Sequence, residues 1–381
     1  MLTQCHRMGQ NPTSGVLSLQ RRREIYALCS KYDIIIIEDD PYWYLQYPTS
    51  TAINTTTTSS ASNTSFNPDV PMFANAEPMP ENWKRSGYPF LDSLVPSFVS
   101  VDIDGRVIRL DTFSKTVAPG CRLGWITAQP ALVERILRIT ETSTQQPSGF
   151  VQSMIAELIL GPDQAGLHAS RSGKGGLHDG EGWKADGWVR WLEGLRGNYE
   201  RRMQKMCSIL DQGKYLVKSG RRSSLSEAAE DDEEWSVIEK TPLYSFDRPV
   251  GGMFIWLKIL FEHHPLHHHY AKAHELPRLA RAFWLFLTTE PYLVLVSPGA
   301  IFSPTQEIRE KEGWKYFRLC FAAINEDQLP GVSRRLAEGA AAFFRIKDVK
   351  TIEELLEEEE EEVAMQGRAG LAHLAQMIGP C

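Results

Sequence analysis

The feature that most constrains the fold is a short, uninterrupted apolar run, Asp33-Ile-Ile-Ile-Ile-Glu38. A strand that is buried on one face alternates apolar and polar side chains, whereas a strand covered on both faces is a continuous hydrophobic run. Strands of that kind are typical of parallel sheets with helices on both faces. The run therefore predicts an α/β protein in which at least part of the sheet is parallel.

Helical and strand-like patterns alternate along the rest of the chain, which also predicts an α/β fold. The predicted helices cover residues 17–32, 132–160 with a break near 147–149, 188–216, 276–289 and 326–346. The predicted strands cover residues 98–102, 107–110, 122–128, 252–257, 293–296 and 316–322.

Composition divides the chain further. We predict a first domain over 1–215, a second over 216–350 and an acidic tail over 351–381, read as a frayed helix end or a disordered brush. Residues 49–82 are rich in Ser, Thr, Asn and Pro and predict a disordered insertion, because they cannot bury enough apolar surface to offset their ordering entropy. Two further insertions are expected at about 219–239, which holds an acidic run, and at 261–274.

The second of these contains the histidine-rich tract 263–269. Such tracts can bind metals, but no cysteine lies close to this one in the sequence. We interpret the tract as a solvated loop and expect no metal site.

Charge and cysteine usage exclude several classes of protein. The formal net charge is −7, and eight negative charges lie in the tail, at Glu353, Glu354 and 357–362. The remainder is therefore nearly neutral and has no basic surface for nucleic acid. No segment has the length of a membrane span, and the first residues lack a secretory apolar region. Six scattered cysteines without a CxxC pair are typical of reduced thiols, so a cytoplasmic location is expected.

Three polar clusters lie at the ends of predicted strands or in the loops that follow: Gln10–Gly15, Glu38–Tyr44 and Asp111–Gly124. Loops at the carboxyl ends of strands are where ligand sites form in open α/β sheets. Singly, each cluster is weak evidence. A lysine after a strand is usually solvated, Asp-Asp-Pro-Tyr is more often a helix cap, and Asn-Pro followed by Thr and Gly is an ordinary turn.

Together and in this order, the clusters resemble the signature of class I/II pyridoxal-phosphate-dependent aminotransferases of fold type I. They are most similar to the branch with fungal aromatic and kynurenine/2-aminoadipate aminotransferases. Further similarity lies in Pro249–Trp256, Val296–Phe302 and Phe317–Ala322. The resemblance implies a partial large cofactor domain with a mixed sheet and helices on both faces, a small C-terminal α/β domain, and pyridoxal 5'-phosphate as cofactor.

The resemblance also implies roles in the chemistry. Lys115 would hold the cofactor aldehyde covalently and then move the substrate proton, a role that suits lysine because its pKa falls readily on desolvation. Asp39 would keep the ring nitrogen protonated, so that the ring accepts electrons. Tyr42 and Asn11 would hydrogen-bond the ring oxygen, and Asn11 would also lie toward the substrate.

Phosphate and substrate contacts follow in the same way. By resemblance, Thr112, Ser114 and Arg122 are phosphate ligands, two hydroxyl donors and a guanidinium. Arg318 resembles the arginine that binds the substrate α-carboxylate, since its planar fork matches a carboxylate in two parallel hydrogen bonds. The partners implied are an amino acid and a 2-oxo acid, and the family forms homodimers.

One departure from the family pattern is at the N-terminus. Members normally carry a long segment before the Asn-Pro motif, so we expect a truncated chain. Residues 1–9 are not expected to form a strand, and the strands ending at Glu38 and Asp111 are expected to be separated by one that is absent. The aromatic platform over the cofactor and part of the phosphate cradle are expected to be absent as well, and catalytic groups tolerate only about 0.5 Å of misplacement. We therefore expect weak cofactor binding, or none, and no measurable transamination.

Three functions stay open from the sequence. The leading one is transfer of an amino group from an aromatic or 2-aminoadipate/kynurenine-like amino acid to 2-oxoglutarate. The second is a β-lyase that uses the same lysine, which half-reaction spectra with phenylalanine and with cystathionine would distinguish. The third is a catalytically inactive fragment.

Overall fold

The computed structural model describes the backbone of residues 2–6, 9–47, 86–160, 186–220 and 237–366. The expected insertion at 49–82 lies outside the described residues. The chain divides into two compact units, Met1–Glu200 with Pro249–Met253, and Arg201–Arg248 with Phe254–Cys381. The predicted domains, 1–215 and 216–350, have different bounds from these two units and remain a prediction.

The first unit is built of alternating strands and helices. Its described elements are β1 (Leu2–His6), α1 (Leu19–Lys31), β2 (Ile35–Asp39), α2 (Pro89–Asp92), β3 (Val107–Thr112), β4 (Gly124–Thr127), α3 (Pro130–Thr142), α4 (Gly149–Leu160) and the first part of α5 (Asp186–Gly213).

The strands of the first unit form one mixed sheet in the order β1-β2-β3-β4. β1, β2 and β3 are parallel, and β4 runs antiparallel to β3. Two expectations are wrong here. Residues 2–6 do form a strand, paired with β2. β2 also pairs directly with β3, with Ile36 opposite Val107 and Asp39 opposite Leu110, so no strand is missing between them.

Helix α1 covers one face of this sheet. The Ser18 hydroxyl caps its first turn by accepting a hydrogen bond from the Arg21 amide, which satisfies one of the orphan donors of a helix start. Its residues Tyr26 and Cys29 are buried against Ile36, Val107 and Phe98. Phe98 belongs to a 3-10 turn, Phe98–Val101, so the strand predicted at 98–102 is wrong. The side chain of Phe98 packs into the core although its backbone forms a turn.

The second unit has an antiparallel sheet in the order β7-β8-β10-β9 and a separate hairpin of β5 and β6. Its strands are β5 (Tyr215–Gly220), β6 (Val237–Pro242), β7 (Tyr244–Ser245), β8 (Phe254–Ile259), β9 (Ser297–Pro298) and β10 (Tyr316–Cys320). Its helices are the end of α5, α6 (His267–Lys272), α7 (Leu276–Thr288), α8 (Gln306–Lys311), α9 (Leu329–Phe343) and α10 (Val349–Gln366).

Aromatic side chains fill the core of this unit. Phe283 of α7 lies 5.5 Å from Phe317 of β10 and 5.2 Å from Phe343 of α9, between ring centres. All three are almost completely buried. Edge-to-face packing at these distances is favourable beyond the area that it buries. The two helices are therefore joined to the sheet by direct ring contacts.

The prediction that the insertion at 261–274 is a solvated loop is wrong. A 3-10 turn, Phe261–His263, leads into α6, and the segment buries Phe261, His264, Leu266 and Tyr270. Apolar residues between the histidines anchor the tract in the core. Among the described residues, no group of three or more His, Cys, Asp or Glu side chains is placed to hold a metal ion.

Three other expectations need correction. The ends of the predicted insertion 219–239 are paired strand residues of β5 and β6, whereas residues 221–236 lie outside the described part of the chain. The strand predicted at 293–296 falls instead at Ser297–Pro298. The tail begins as helix α10, which packs against α7 and buries Ile352 and Leu356; apolar residues between the glutamates give it a packed face.

No helix within the described ranges has the length and apolarity needed to cross a membrane.

Candidate active site

The three parallel strands of the first unit end at the same edge of the sheet. His6, the last residue of β1, pairs with Asp39, the last residue of β2, and Asp39 pairs with Leu110 of β3. Each of the three polar clusters follows one of these strand ends. The loops that carry Asn11, Tyr42 and Lys115 are thus brought to the edge where open α/β sheets bind ligands.

Lys115 lies in a tight turn after β3. The Phe113 carbonyl closes this turn by accepting hydrogen bonds from the amides of Thr116, Val117 and Ala118, at 2.8–3.3 Å. The Lys115 Nζ atom is 6.0 Å from the centre of the buried Tyr42 ring, at the outer limit of a cation–π contact. The structure therefore brings two of the predicted catalytic residues together from neighbouring strand ends.

Asp39 and Asn11 complete the part of the site formed by β1 and β2. Both side chains are half-buried. The loop of Asn11 is closed on itself, because the Gln10 carbonyl accepts from the Ser14 amide at 2.6 Å and the Gln10 amide donates to the Gly15 carbonyl at 3.2 Å. The peptide bond between Asn11 and Pro12 is cis. The additional serine in Asn-Pro-Thr-Ser-Gly is thus accommodated within the turn.

The predicted phosphate ligands lie at the end of β3 and the start of β4. The Ser114 amide donates to the Thr112 hydroxyl at 3.1 Å, and that hydroxyl lies 3.3 Å from the Leu123 carbonyl. Arg122 is exposed and has a left-handed backbone, with φ of 45°. Gly124 is opposite Thr112, and a Cβ there would lie 2.6 Å from the Asp111 carbonyl oxygen. Only glycine allows the two strands to approach this closely.

Segment Pro249–Met253 packs against the loop after β2. The Tyr47 amide donates to the Val250 carbonyl at 2.9 Å, and the Gly252 amide donates to the Leu45 carbonyl at 2.8 Å. Gly252 and Gly9 both have positive φ, and a Cβ on Gly9 would lie 2.3 Å from the Gly252 Cα. The segment, which the sequence similarity includes, is therefore held by backbone contacts that exclude larger residues.

Arg318 belongs to the second unit, on β10, and is buried. Its guanidinium carbon lies 4.4 Å from the centre of the Phe254 ring and 4.8 Å from the centre of the Phe302 ring. The Nη2 atom is 3.3 Å from the Ser297 hydroxyl. Two aromatic faces and one hydroxyl thus fix the direction of this guanidinium. Phe254 and Phe302 were not singled out from the sequence, although both lie inside the segments that carry the resemblance.

Sequence reasoning also missed a cluster of buried charges beneath the site. Arg22 on α1 pairs with Glu38 on β2 at 2.5 Å, and Arg109 pairs with Asp111 on β3 at 2.8 Å. The strand sequence Val-Ile-Arg-Leu-Asp-Thr contained a signal, because Arg109 and Asp111 are two residues apart and so point to the same face. Nothing in the sequence distinguished Arg22 from the arginines on either side of it.

The residue types at this edge fit pyridoxal phosphate. The edge carries an amine, a carboxylate, a phenol and two hydroxyls within three neighbouring loops, with the Arg122 guanidinium at the start of β4. An amine can bind an aldehyde covalently, a carboxylate can hold a pyridine nitrogen protonated, and hydroxyls with a guanidinium suit a phosphate.

The comparison with known proteins agrees with this geometry. The family model for aminotransferase class I and II matches residues 5–174, a range that contains every predicted site residue of the first unit. Those residues belong to the class I and II aminotransferases.

Relatives in this family are fungal enzymes of aromatic amino acids. The chain is 36% identical over 258 residues to the L-tyrosine:2-oxoglutarate aminotransferase atrD of Tapinella panuoides, covering 67% of this chain and 36% of the relative. It is 34% identical over 251 residues to an aromatic amino acid aminotransferase of Schizosaccharomyces pombe, covering 66% of this chain and 38% of the relative.

Solved aminotransferase structures share the fold. The structure of the aminotransferase Aro8 from Candida albicans superposes with a TM-score of 0.58 at 28% identity, covering 91% of this chain and 58% of that one. The fold is thus that of a fold type I aminotransferase, with a mixed sheet and helices. The chain spans well under two thirds of the length of each of these relatives.

Proposed function

We propose that the chain is a pyridoxal-phosphate-dependent aminotransferase that uses Lys115 to hold the cofactor. The observation that carries the proposal is the placement of Lys115 beside Tyr42, 6.0 Å from its ring centre, at the sheet edge where β2 ends in Asp39. The family match of residues 5–174 supports it. When bound, pyridoxal phosphate supplies an electrophilic aldehyde and an electron-accepting ring.

Each predicted site residue of the first unit has its own proposed role. The Lys115 amine would hold the aldehyde end of the cofactor and would move a proton from the substrate Cα. The turn closed by the Phe113 carbonyl aims this amine. The Asp39 carboxylate holds a proton on the ring nitrogen, and Tyr42 with Asn11 donates to the ring oxygen. Thr112, Ser114 and Arg122 bind the phosphate.

The substrate assignment is drawn from the relatives and from Arg318. The named relatives act on L-tyrosine with 2-oxoglutarate, or on aromatic amino acids. We therefore propose an aromatic, or kynurenine/2-aminoadipate-like, amino acid as donor and 2-oxoglutarate as acceptor. Arg318 is proposed to bind the α-carboxylate, since its guanidinium is already oriented by Phe254 and Phe302. A homodimer and a cytoplasmic location are proposed on family grounds.

The inactive-fragment alternative rested in part on a strand missing between β2 and β3. The direct pairing of these strands removes that part of the argument. The test is glutamate formation from L-tyrosine and 2-oxoglutarate by the whole chain with added pyridoxal phosphate. We expect activity that Lys115→Ala reduces to background and that the exposed control Lys311→Ala leaves unchanged. Activity in Lys115→Ala equal to wild type would overturn the assignment, and no activity in wild type would favour the inactive fragment.

A further inference from the structure

Five charged side chains are buried together where β2 and β3 end. They are Arg22, Glu38, Asp40, Arg109 and Asp111, and none is more than 9% exposed. The cluster lies directly beneath the proposed cofactor site, because Asp39 separates Glu38 from Asp40 in the chain. Buried charges are tolerated when they are paired and hydrogen-bonded, so the pairing within this cluster determines which members are charged.

Four of the five members form two ion pairs. Arg22 binds Glu38 at 2.5 Å, and the Phe98 amide also donates to both Glu38 oxygens at 2.9 and 3.1 Å. Arg109 binds both oxygens of Asp111 in a two-pronged contact, with each distance 2.8 Å. Bidentate contacts of this kind are among the strongest hydrogen bonds in proteins. Both arginines are therefore committed to a carboxylate.

Asp40 is the fifth member, and its carboxyl group is fully enclosed. Neither of its oxygens makes a hydrogen bond. The nearest cation is Arg109, whose Nη1 atom is 3.8 Å away and whose other donors bind Asp111. The backbone at this position is satisfied, since the Asp40 amide donates to the Leu110 carbonyl at 3.1 Å. The side chain alone lacks a hydrogen bond.

The charges do not balance if every group is ionised. Two arginines face three carboxylates, which leaves one negative charge buried without a matching cation. A buried carboxyl group in that position neutralises by keeping its proton. Burial, followed by repulsion from Glu38 and Asp111, raises the pKa of Asp40 to about 8, against the attraction of Arg109 and Arg22. The same environment, with burial as the main cause, raises the pKa of the neighbouring Tyr44 hydroxyl to about 12.

We propose that, of the adjacent residues Asp39 and Asp40, Asp40 is a neutral, protonated acid at neutral pH, whereas Asp39 is the one that would contact the cofactor. The second half of the proposal rests on the proposed function, whereas the first does not. Two carboxyl groups with roles set by different environments are a recurring arrangement in enzyme sites. The neutral Asp40 leaves Arg109 bound to Asp111 and keeps the ends of β2 and β3 in register.

The first test counts protons. The folded chain holds the Asp40 proton, whereas the unfolded chain releases it above the ordinary aspartate pKa, so unfolding at pH 7 releases close to one proton from this group. Measured in a pH-stat during denaturation, Asp40→Asn should release close to one proton less than wild type. Asp33→Asn, which alters an exposed aspartate, should match wild type. Equal release by wild type and Asp40→Asn would overturn the proposal.

A wild-type measurement covers the case in which Asp40→Asn does not fold. Because the folded pKa of Asp40 is raised, stability falls as pH rises through the range between its unfolded and folded pKa values. Above pH 7 the unfolded His264 is mostly neutral, so between pH 7 and about 8 the pH dependence comes mainly from Asp40. The unfolding equilibrium constant should rise about fourfold per pH unit there, and a constant value would contradict the proposal.

The second test separates the two carboxyl groups by cofactor affinity. Pyridoxal phosphate is titrated into wild type, Asp39→Asn and Asp40→Asn at pH 7 and followed by absorbance. Asp39→Asn should weaken binding at least tenfold, whereas Asp40→Asn, which is a neutral replacement of a neutral group, should bind within twofold of wild type. Loss of affinity in Asp40→Asn equal to that in Asp39→Asn would overturn the proposal. If wild type itself does not bind the cofactor, the proposed function fails, while the proton count stands on its own.

Discussion

The two compact units bury different kinds of side chain. The second unit has a core of aromatic rings on α7, α9 and β10, in which Phe283 contacts both Phe317 and Phe343. The first unit packs an apolar cluster around Ile36 and Phe98 and also buries a cluster of charges at the carboxyl ends of β2 and β3. Apolar packing stabilises a unit, whereas buried charges restrict what can bind beside them.

The buried residues of the two units therefore make different contributions to the protein. Positions that bury rings in the second unit contribute mainly to stability. Positions that bury charge in the first unit contribute less stability for the volume they occupy, and they surround the residues proposed to hold the cofactor. The comparison is testable, because substitutions in the two regions should differ in size and in their response to pH.

The largest effect is expected for Phe343→Ala in the second unit. Phe343 is fully buried and contacts the rings of Phe283 and His264, so its removal leaves a cavity and should lower the free energy of unfolding by about 4 kcal/mol. Phe150→Ala in the first unit, where the ring is 76% exposed, should cost less than about 0.5 kcal/mol. Urea denaturation measures both, and similar losses would contradict the comparison.

The next effect is expected for Arg22→Met in the first unit. This substitution leaves the fully buried Glu38 without its cation and should cost about 3 kcal/mol. The double variant with Glu38→Gln should recover most of the loss, because glutamine carries no charge and its oxygen can still accept from the Phe98 amide. If the double variant were less stable than Arg22→Met alone, the unpaired charge of Glu38 would not explain the loss, and this account of the pair would be contradicted.

Much of the fold could be predicted from the sequence, because apolar periodicity is a local signal. The buried isoleucine run gave β2, and the spacing of apolar residues gave α1, α7 and α9 to within a few residues. The errors arose where tertiary contacts decide. Phe98 fills the core from a turn, and His264 is buried because Phe261, Leu266 and Tyr270 around it are buried.

The site divides in the same way. Lys115, Asp39 and Tyr42 could be proposed as site residues by resemblance because each lies in a short contiguous motif. The pairing of β2 with β3 could not be predicted, since strand order depends on residues far apart in the chain. The charge state of Asp40 was equally inaccessible, because it depends on Arg22 and Arg109, which come from two other elements.

A smaller, pH-dependent effect is expected at His264. Its Nδ1 accepts from the Leu266 amide and its Nε2 lies 3.1 Å from the Phe343 carbonyl, so Nε2 carries the proton of a neutral ring. Burial lowers the pKa of His264 to about 4. The unfolded histidine takes up a proton first as pH falls, so His264 contributes a loss of stability of roughly 2 kcal/mol between pH 6.5 and about 4. This loss opposes the gain expected from Asp40 over the same range, so it is measured as the difference between wild type and His264→Gln. In His264→Gln this loss should be absent, and an unchanged pH profile would contradict the assignment.

The most direct test of the central account is the position of covalent cofactor attachment. The chain is incubated with pyridoxal phosphate, reduced with borohydride, digested and mapped by mass spectrometry. The account predicts one major adduct, on the peptide that contains Lys115, with its yield unchanged by the exposed control Lys311→Arg and lost in Lys115→Arg. An adduct distributed over surface lysines, or retained at full yield in Lys115→Arg, would contradict the placement of the cofactor at the carboxyl ends of β1, β2 and β3.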